Sequence, residues 1–187
     1  MGDVTYLTGH LLIAMPAMAD PNFVRTVTYI CEHTDQGALG IVINRPLQMD
    51  LGEVFQQLAL QDNDAALARQ PVLRGGPVQT ERGFVLHEPS RQWDATVAVS
   101  DSVHLTTSQD ILAALAGGTG PKRALMALGY AGWGAGQLEM EIGANAWLNV
   151  PATDTIVFDT PFEARWAAAA GLLGINLAMI SSEAGHA

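Results

Sequence analysis

Residues 129–148 constrain this chain more than any other stretch. Glycines stand at 129, 132, 134 and 136, and an apolar run over residues 123–130 leads into them. Glycine is placed where the backbone needs positive φ or where it approaches other atoms closely. An apolar run feeding such a cluster predicts a buried strand over residues 123–130, although its propensity alone also suits a helix. The glycines at 132–136 then form a tight crossing. Gln137, Glu139 and Glu141 follow, between Trp133 and Trp147. The segment from Gln137 is open by its own pattern. As a strand it puts Leu138, Met140 and Ile142 on one face; as a helix it stacks Leu138 on Ile142.

The rest of the chain alternates short strands and short helices. Strands are predicted over residues 10–15, 26–33, 38–44, 83–87, 95–100, 147–150 and 155–158, with shorter pieces before Gly75 and at His104 and Leu105. The second and third form a hairpin across Thr34-Asp-Gln-Gly37, and those over 83–87 and 95–100 pair with each other. Alternation puts Val27, Tyr29 and Cys31 on one face of the second strand, with His33 on the Cys31 face. Asp50-Leu-Gly-Glu53 has the form of a capping box ahead of Val54, Phe55 and Leu58. A second helix starts at Thr107 and stops at Gly117-Gly118. A third starts at Thr160-Pro-Phe-Glu163, with Thr160 as N-cap and proline at the first position. No repeat, linker or composition break divides the chain, which predicts one α+β domain over residues 1–187.

Charge disfavours one class of function. The chain carries 19 acidic and 9 basic residues, a formal charge of −10. Its eight arginines are scattered and Lys122 is the only lysine, whereas phosphate neutralisation needs clustered cations. Direct nucleic-acid binding is therefore not expected. Cys31 stands alone, which fits a reducing compartment. The apolar residues 11–19 lack a basic leader and are broken by Pro16, so they do not read as a secretory signal. The longest apolar run, over residues 166–180, falls short of the ~20 residues a spanning helix needs. A cytoplasmic protein with no membrane association is expected.

The glycine cluster suggests an anion cradle, since glycine-rich backbone before a helix presents free N–H groups. It lacks the Gly-Lys-Ser/Thr end of a P-loop and contains no Gly-x-Gly-x-x-Gly. A tight crossing packed around Trp133 is the structural alternative. The predicted ligand site is Gly132, Trp133, Gly134, Gly136, Gln137 and Glu141, with Arg25 and Arg82 supplying charge if the fold brings them close. Glu139 and Glu141 together suggest paired carboxylates or simply a solvated face. Asp20 and Arg25 bracket a turn and suggest a structural ion pair or, alternatively, a ligand contact. Cys31 with His33 suggests a nucleophile and base; the alternative is a buried small apolar residue. His10, His33, His87 and His104 are singly spaced, so neither a metal site nor a cofactor is expected.

These residues also carry a resemblance. Gly9-His-Leu-Leu-Ile-Ala-Met-Pro16, Asp20-Pro-Asn-Phe-Val-Arg-Thr-Val27, Glu32-His33, Gly37-Ala-Leu-Gly40 and Asn44-Arg-Pro46 come in order. Gly75-Gly-Pro-Val78, Arg82-Gly-Phe-Val-Leu-His87 and Gly129-Tyr-Ala-Gly-Trp-Gly-Ala-Gly-Gln-Leu-Glu139 follow. Together they resemble the bacterial YqgE/AlgH family over almost the whole chain. The resemblance implies an α+β fold with a forked β-sheet curled into a pseudo-barrel and helices outside. It also implies a helix over residues 136–144. Some members are called transcriptional regulators, a label this acidic composition does not support for direct DNA contact. Ala135 and Met140 depart from the bulkier or proline residue and the polar residue often found there. The expected role is binding or regulation without catalysis, the partner being an unknown protein or small molecule. The alternative is an enzyme acting on an anionic small molecule at the Gly132–Gln137 turn.

Overall fold

The computed structural model describes residues 5–184, with side chains described as far as residue 180. Ten strands carry the fold: β1 (His10–Ala14), β2 (Val27–Thr34), β3 (Gly37–Val42), β4 (Pro46–Asp50), β5 (Pro71–Arg74), β6 (Val78–His87), β7 (Thr96–Ala98), β8 (His104–Thr106), β9 (Ala124–Gly134) and β10 (Trp147–Pro151). Six helices join them: α1 (Leu51–Gln57), α2 (Ala65–Ala68), α3 (Asp110–Gly117), α4 (Gln137–Gly143), α5 (Arg165–Gly171) and α6 (Leu177–Ala184). The spatial order is β10-β1-β2-β3-β9-β6-β8-β7, with β4 and β5 branching off beside β9. The fold is α+β, a forked sheet curled into a half-barrel.

The fork lies in the glycine stretch. One side of β9 pairs with β6, from His87 opposite Ala124 to Val78 opposite Tyr130. The other side pairs first with β5 in parallel, at Ala127 and Leu128, and then with β3, at residues 131–134. The change of partner brackets Gly129, whose φ is +79°. A Cβ there would strike the carbonyl oxygen of Gly76, and a Cβ on Gly76 would overlap the Tyr130 carbonyl. Two backbones cross at a distance only glycine permits. Gly129 also shifts the side-chain phase. Before it, Leu125 and Ala127 face the large central core, while Ala124 and Met126 face a second core under α1 and α3. After it, Tyr130 packs on the central core, and Ala131 and Trp133 enter a third cluster with Leu138 and Trp147.

The strand expected over residues 123–130 is present, and it runs on to Gly134. The crossing expected over residues 132–136 therefore shrinks to Ala135 and Gly136. The capping box at α1 is complete: the Glu53 N–H donates to Asp50 Oδ1 at 2.9 Å and the Asp50 N–H to Glu53 Oε2 at 3.0 Å. Several expectations need correction. Residues 83–87 and 95–100 do not pair directly, because β8 lies between β6 and β7. Thr155–Asp159 is a π-helical turn rather than a strand. It sends the adjacent Ile156 and Val157 both into the core, which strand alternation forbids. Thr160 does not cap a helix. Its hydroxyl donates back to the Thr155 carbonyl, and a 3-10 turn at Phe162–Ala164 delays α5 to Arg165. The helix expected at Thr107 begins at Asp110, whose carboxylate accepts its own helix's Ile111 N–H.

Candidate functional site

The glycine turn is closed by side chains of the same segment. Gly136 precedes α4 with φ +76°. Gln137 reaches back, its Oε1 accepting the Gly134 N–H at 3.0 Å, and its Nε2 donates to Glu141 Oε2 at 2.8 Å. The other Glu141 oxygen accepts both indole N–H groups, from Trp133 at 3.1 Å and Trp147 at 2.9 Å. The two buried indoles meet edge to face with Phe23 alongside. Sequence reasoning thus singled out residues that do come together: Trp133, Gly134, Gln137 and Glu141 form one network. Gly132 and Trp133 also border an open hollow of about 430 Å³ with Glu32, Gln36 and Tyr130.

The two arginines are not part of this network. Arg25 stacks on Trp166, 5.0 Å from the ring centre, and lines a different hollow with Asn176 and Ile175. The ion pair expected between Asp20 and Arg25 is not formed. Asp20 caps its own turn through the Asn22 N–H. The cation that holds this loop is Arg45, whose guanidinium donates to the carbonyls of Pro21, Asn22 and Val24. Asn44 completes the clamp, accepting from the Val27 N–H and donating to the Arg25 carbonyl, where φ is +57°.

His33 and Cys31 do not share a face. A β-bulge between Ile30 and Glu32 resets the alternation. Cys31 stays in the central core, where burial pushes its thiol far above the ordinary range. His33 instead points to α4. Its Nδ1 accepts the Leu7 N–H at 2.9 Å, so Nε2 carries the hydrogen and donates to Glu139 Oε1. Glu139's carboxyl is held below its usual range by its own backbone N–H, against burial, and by His33. Glu139 and Glu141 therefore have separate partners and are not a carboxylate pair. Among the described residues, no group of three or more His, Cys, Asp and Glu is placed to hold a metal ion.

One of the larger concavities was not foreseen. It is a groove of about 550 Å³ between α1, the start of α3 and strands β6 and β9. Met49, Val54, Leu58, Leu112, Met126 and Leu128 form its apolar surface; Gln57, Thr80, Glu81, Arg82, Thr107 and Ser108 rim it. Arg82 is carried by β6 with its guanidinium over Phe84, 5.2 Å from the ring centre, and a weak 3.5 Å contact to Gln79. It makes no ion pair among the described residues, where Arg123 pairs with Asp159 and the His33–Glu139 contact is the hydrogen bond already described. The α3 end of the rim is internally satisfied: Asp110 accepts from Ser108 Oγ, Asp94 N–H and Ile111 N–H. The rim thus carries two opposite charges without an ion-pair partner among the described residues, Arg82 and the adjacent Glu81; the sequence offered Arg82 to the glycine turn if the fold brought it close, and the fold does not. The signal for the groove was present as apolar spacing on α1 and α3, but nothing local says that those two helices flank the same strands.

Comparison with known proteins decides the family. A family model described as AlgH-like matches residues 11–178. The chain belongs to the AlgH-like family. A UPF0301 protein of Nitrosococcus oceani is 54% identical over 187 residues, covering all of both chains. One from Saccharophagus degradans is 56% identical, over 100% of this chain and 91% of its own. Among solved structures, the AlgH protein of Pseudomonas aeruginosa superposes with a TM-score of 0.80 at 51% identity, covering 100% of this chain and 99% of its own. A Corynebacterium diphtheriae protein shares the fold alone, with a TM-score of 0.70 at 19% identity. No helix among the described residues is long and apolar enough to cross a membrane.

Proposed function

We propose that this AlgH-like protein acts by binding, without catalysis, and that its ligand is a small amphipathic molecule with an anionic head held in the α1–α3 groove. The observation that carries the reading is the pairing of an apolar floor with Arg82, an arginine without an ion-pair partner, at a rim where Glu81 is the opposing charge. A volume of about 550 Å³ falls within the range of small-molecule pockets. The floor rewards burial of a hydrocarbon body, and a guanidinium at the mouth suits a planar carboxylate. The enzyme alternative at the Gly132–Gln137 turn draws less support: Glu141 is already engaged by two indoles and Gln137.

Thermal shift and calorimetry with octanoate, octanol and octylamine test this. Octanoate is expected to bind most tightly, and Arg82→Ala to weaken it by about tenfold while leaving octanol unchanged. Leu112→Gln should weaken octanoate and octanol together. Mass spectrometry should recover the ligand unaltered. Equal affinity for the three compounds, or octanoate binding indifferent to both variants, overturns the proposal.

A further inference from the structure

Arg25 belongs neither to the glycine turn nor to the α1–α3 groove, and its backbone is held in a strained conformation. Its φ is +57°, in the left-handed region that residues other than glycine, asparagine and aspartate seldom enter. Such strain persists only where the surroundings over-determine it, and it concentrates at ligand sites. Here the surroundings are the Asn44 amide and the Arg45 guanidinium. Asn44 donates to the Arg25 carbonyl at 2.8 Å and accepts the Val27 N–H at 2.9 Å, while Arg45 gathers three carbonyls of the same loop. The clamp holds the exposed Arg25 side chain against the half-buried Trp166, 5.0 Å from the ring centre. The indole is fixed in turn, its N–H donating to the Ala14 carbonyl at 2.8 Å.

Arg25 and Trp166 border a hollow of about 440 Å³ between α5 and the start of α6. Ala167, Ile175 and Leu177 supply its apolar wall, and Asn176 supplies the other polar side chain. Asn176 Oδ1 accepts the Ala178 N–H at 3.0 Å, which leaves the amide N–H groups of Asn176 outside that cap. The end of α6 is thus capped from within, and the charge at the hollow comes from Arg25. No aspartate or glutamate is among the described residues that border it, and Arg25 has no ion-pair partner among the described residues. Both polar side chains are exposed, so a ligand in the hollow reaches them without any opening of the fold.

We infer that this hollow is a binding site for a small monocarboxylate. Stacking on Trp166 engages a face of the guanidinium and leaves its N–H edge free to fork a carboxylate. The Asn176 amide adds a neutral donor at the same hollow. One positive charge and one amide suit a monoanion better than a phosphate dianion. The apolar wall rewards burial of a short hydrocarbon body, and the volume falls within the range of small-molecule pockets. The hollow shares no lining residue with the α1–α3 groove and stands whether or not that groove binds an anion.

The test is a heteronuclear NMR titration of the full chain with butyrate, butanol and butylamine at constant ionic strength, with inorganic phosphate as a separate arm. Butyrate is expected to move the Trp166 indole N–H and the Arg25 and Asn176 signals saturably, and butanol and butylamine are not. Arg25→Asn removes the guanidinium with a residue that tolerates the left-handed backbone. Asn176→Asp keeps the cap and places a negative charge at the hollow. Each should raise the Kd for butyrate at least about tenfold. Arg82→Ala should leave it unchanged. If Arg25→Asn melts lower than wild type, Asn176→Asp alone carries the test. The inference is overturned if butyrate moves none of these signals saturably at millimolar concentrations, if its affinity ignores the two variants, or if butanol or phosphate binds there as tightly. Butyrate binding that is lost in Arg82→Ala and kept in Arg25→Asn overturns it too, and leaves the groove reading in place.

Discussion

Replacing Glu141 with alanine separates a structural carboxylate from a ligand contact. In the folded chain it accepts from Trp133 and Trp147 through one oxygen and from Gln137 through the other. The two indoles are only 6% and 3% exposed, so solvent cannot replace the lost acceptor freely. A buried donor left without a partner costs about 1–3 kcal/mol, and the two share one oxygen, which puts the total for Glu141→Ala near 2–4 kcal/mol. In a chain of this length that lowers Tm by about 4–16 °C. Glu141→Gln keeps one oxygen for the indoles and should lose only about 1 kcal/mol. Urea unfolding followed by tryptophan fluorescence reads both variants, since two of the four reporting indoles are the ones Glu141 holds. A loss below about 0.5 kcal/mol for Glu141→Ala would refute the reasoning, because surface substitutions away from such networks fall in that range.

Other outcomes follow from particular contacts. Gly76→Ala should destabilise by at least about 2 kcal/mol, since its Cβ overlaps the Tyr130 carbonyl at the fork; urea unfolding measures it. Burial alone would raise the Asp110 carboxyl, but the Ser108 hydroxyl and the Asp94, Ile111 and Asp110 N–H groups outweigh it and hold it low. A lowered folded pKa contributes stability that is present above the unfolded value and lost as pH falls through the folded one. Stability measured from pH 5 downward should therefore fall once pH passes below about 4, and fall less in Asp110→Asn. The Cys31 thiol, buried and pushed upward, should react with a thiol reagent only as fast as the fold opens, which labelling with and without urea resolves.

What the sequence disclosed was local in origin. The Asp50–Glu53 box closes within one helical turn, so four residues suffice to read it. The stop of α3 is equally short-ranged, since Gly118 adopts φ +80° just past its end. The Trp133, Gln137 and Glu141 grouping was half legible: spacing puts Gln137 and Glu141 on one helix face, but Trp147 joins only because β10 follows α4 directly. His33 was misplaced because a bulge leaves no mark on the residue types around it. Arg82 was chosen for its charge, and nothing near it in the chain names its neighbours. Its groove is assembled from residues 49–58, 80–85, 106–112 and 126–128, whose proximity depends on the branching of the sheet.

That branching also governs how any variant in the glycine stretch will read out. β9 supplies Met126 and Leu128 to the floor of the groove and, past Gly129, Trp133 to the Glu141 network. The phase shift at Gly129 is what lets one strand turn Met126 and then Trp133 to the same face, away from the central core, and so serve two separate clusters there. A side chain at Gly129 would push against the Gly76 carbonyl and disturb both ends of the strand at once. Loss of ligand binding after such a substitution would therefore follow whether the ligand sat in the groove, at the turn, or elsewhere on the sheet. Arg82→Ala removes a charge at the rim of the groove and leaves the crossing intact. If octanoate responds to Arg82→Ala with Tm unchanged, the glycines are the frame and the groove is the site. If octanoate does not respond while a Gln137→Ala variant of normal stability loses a bound anion, the turn itself is the site.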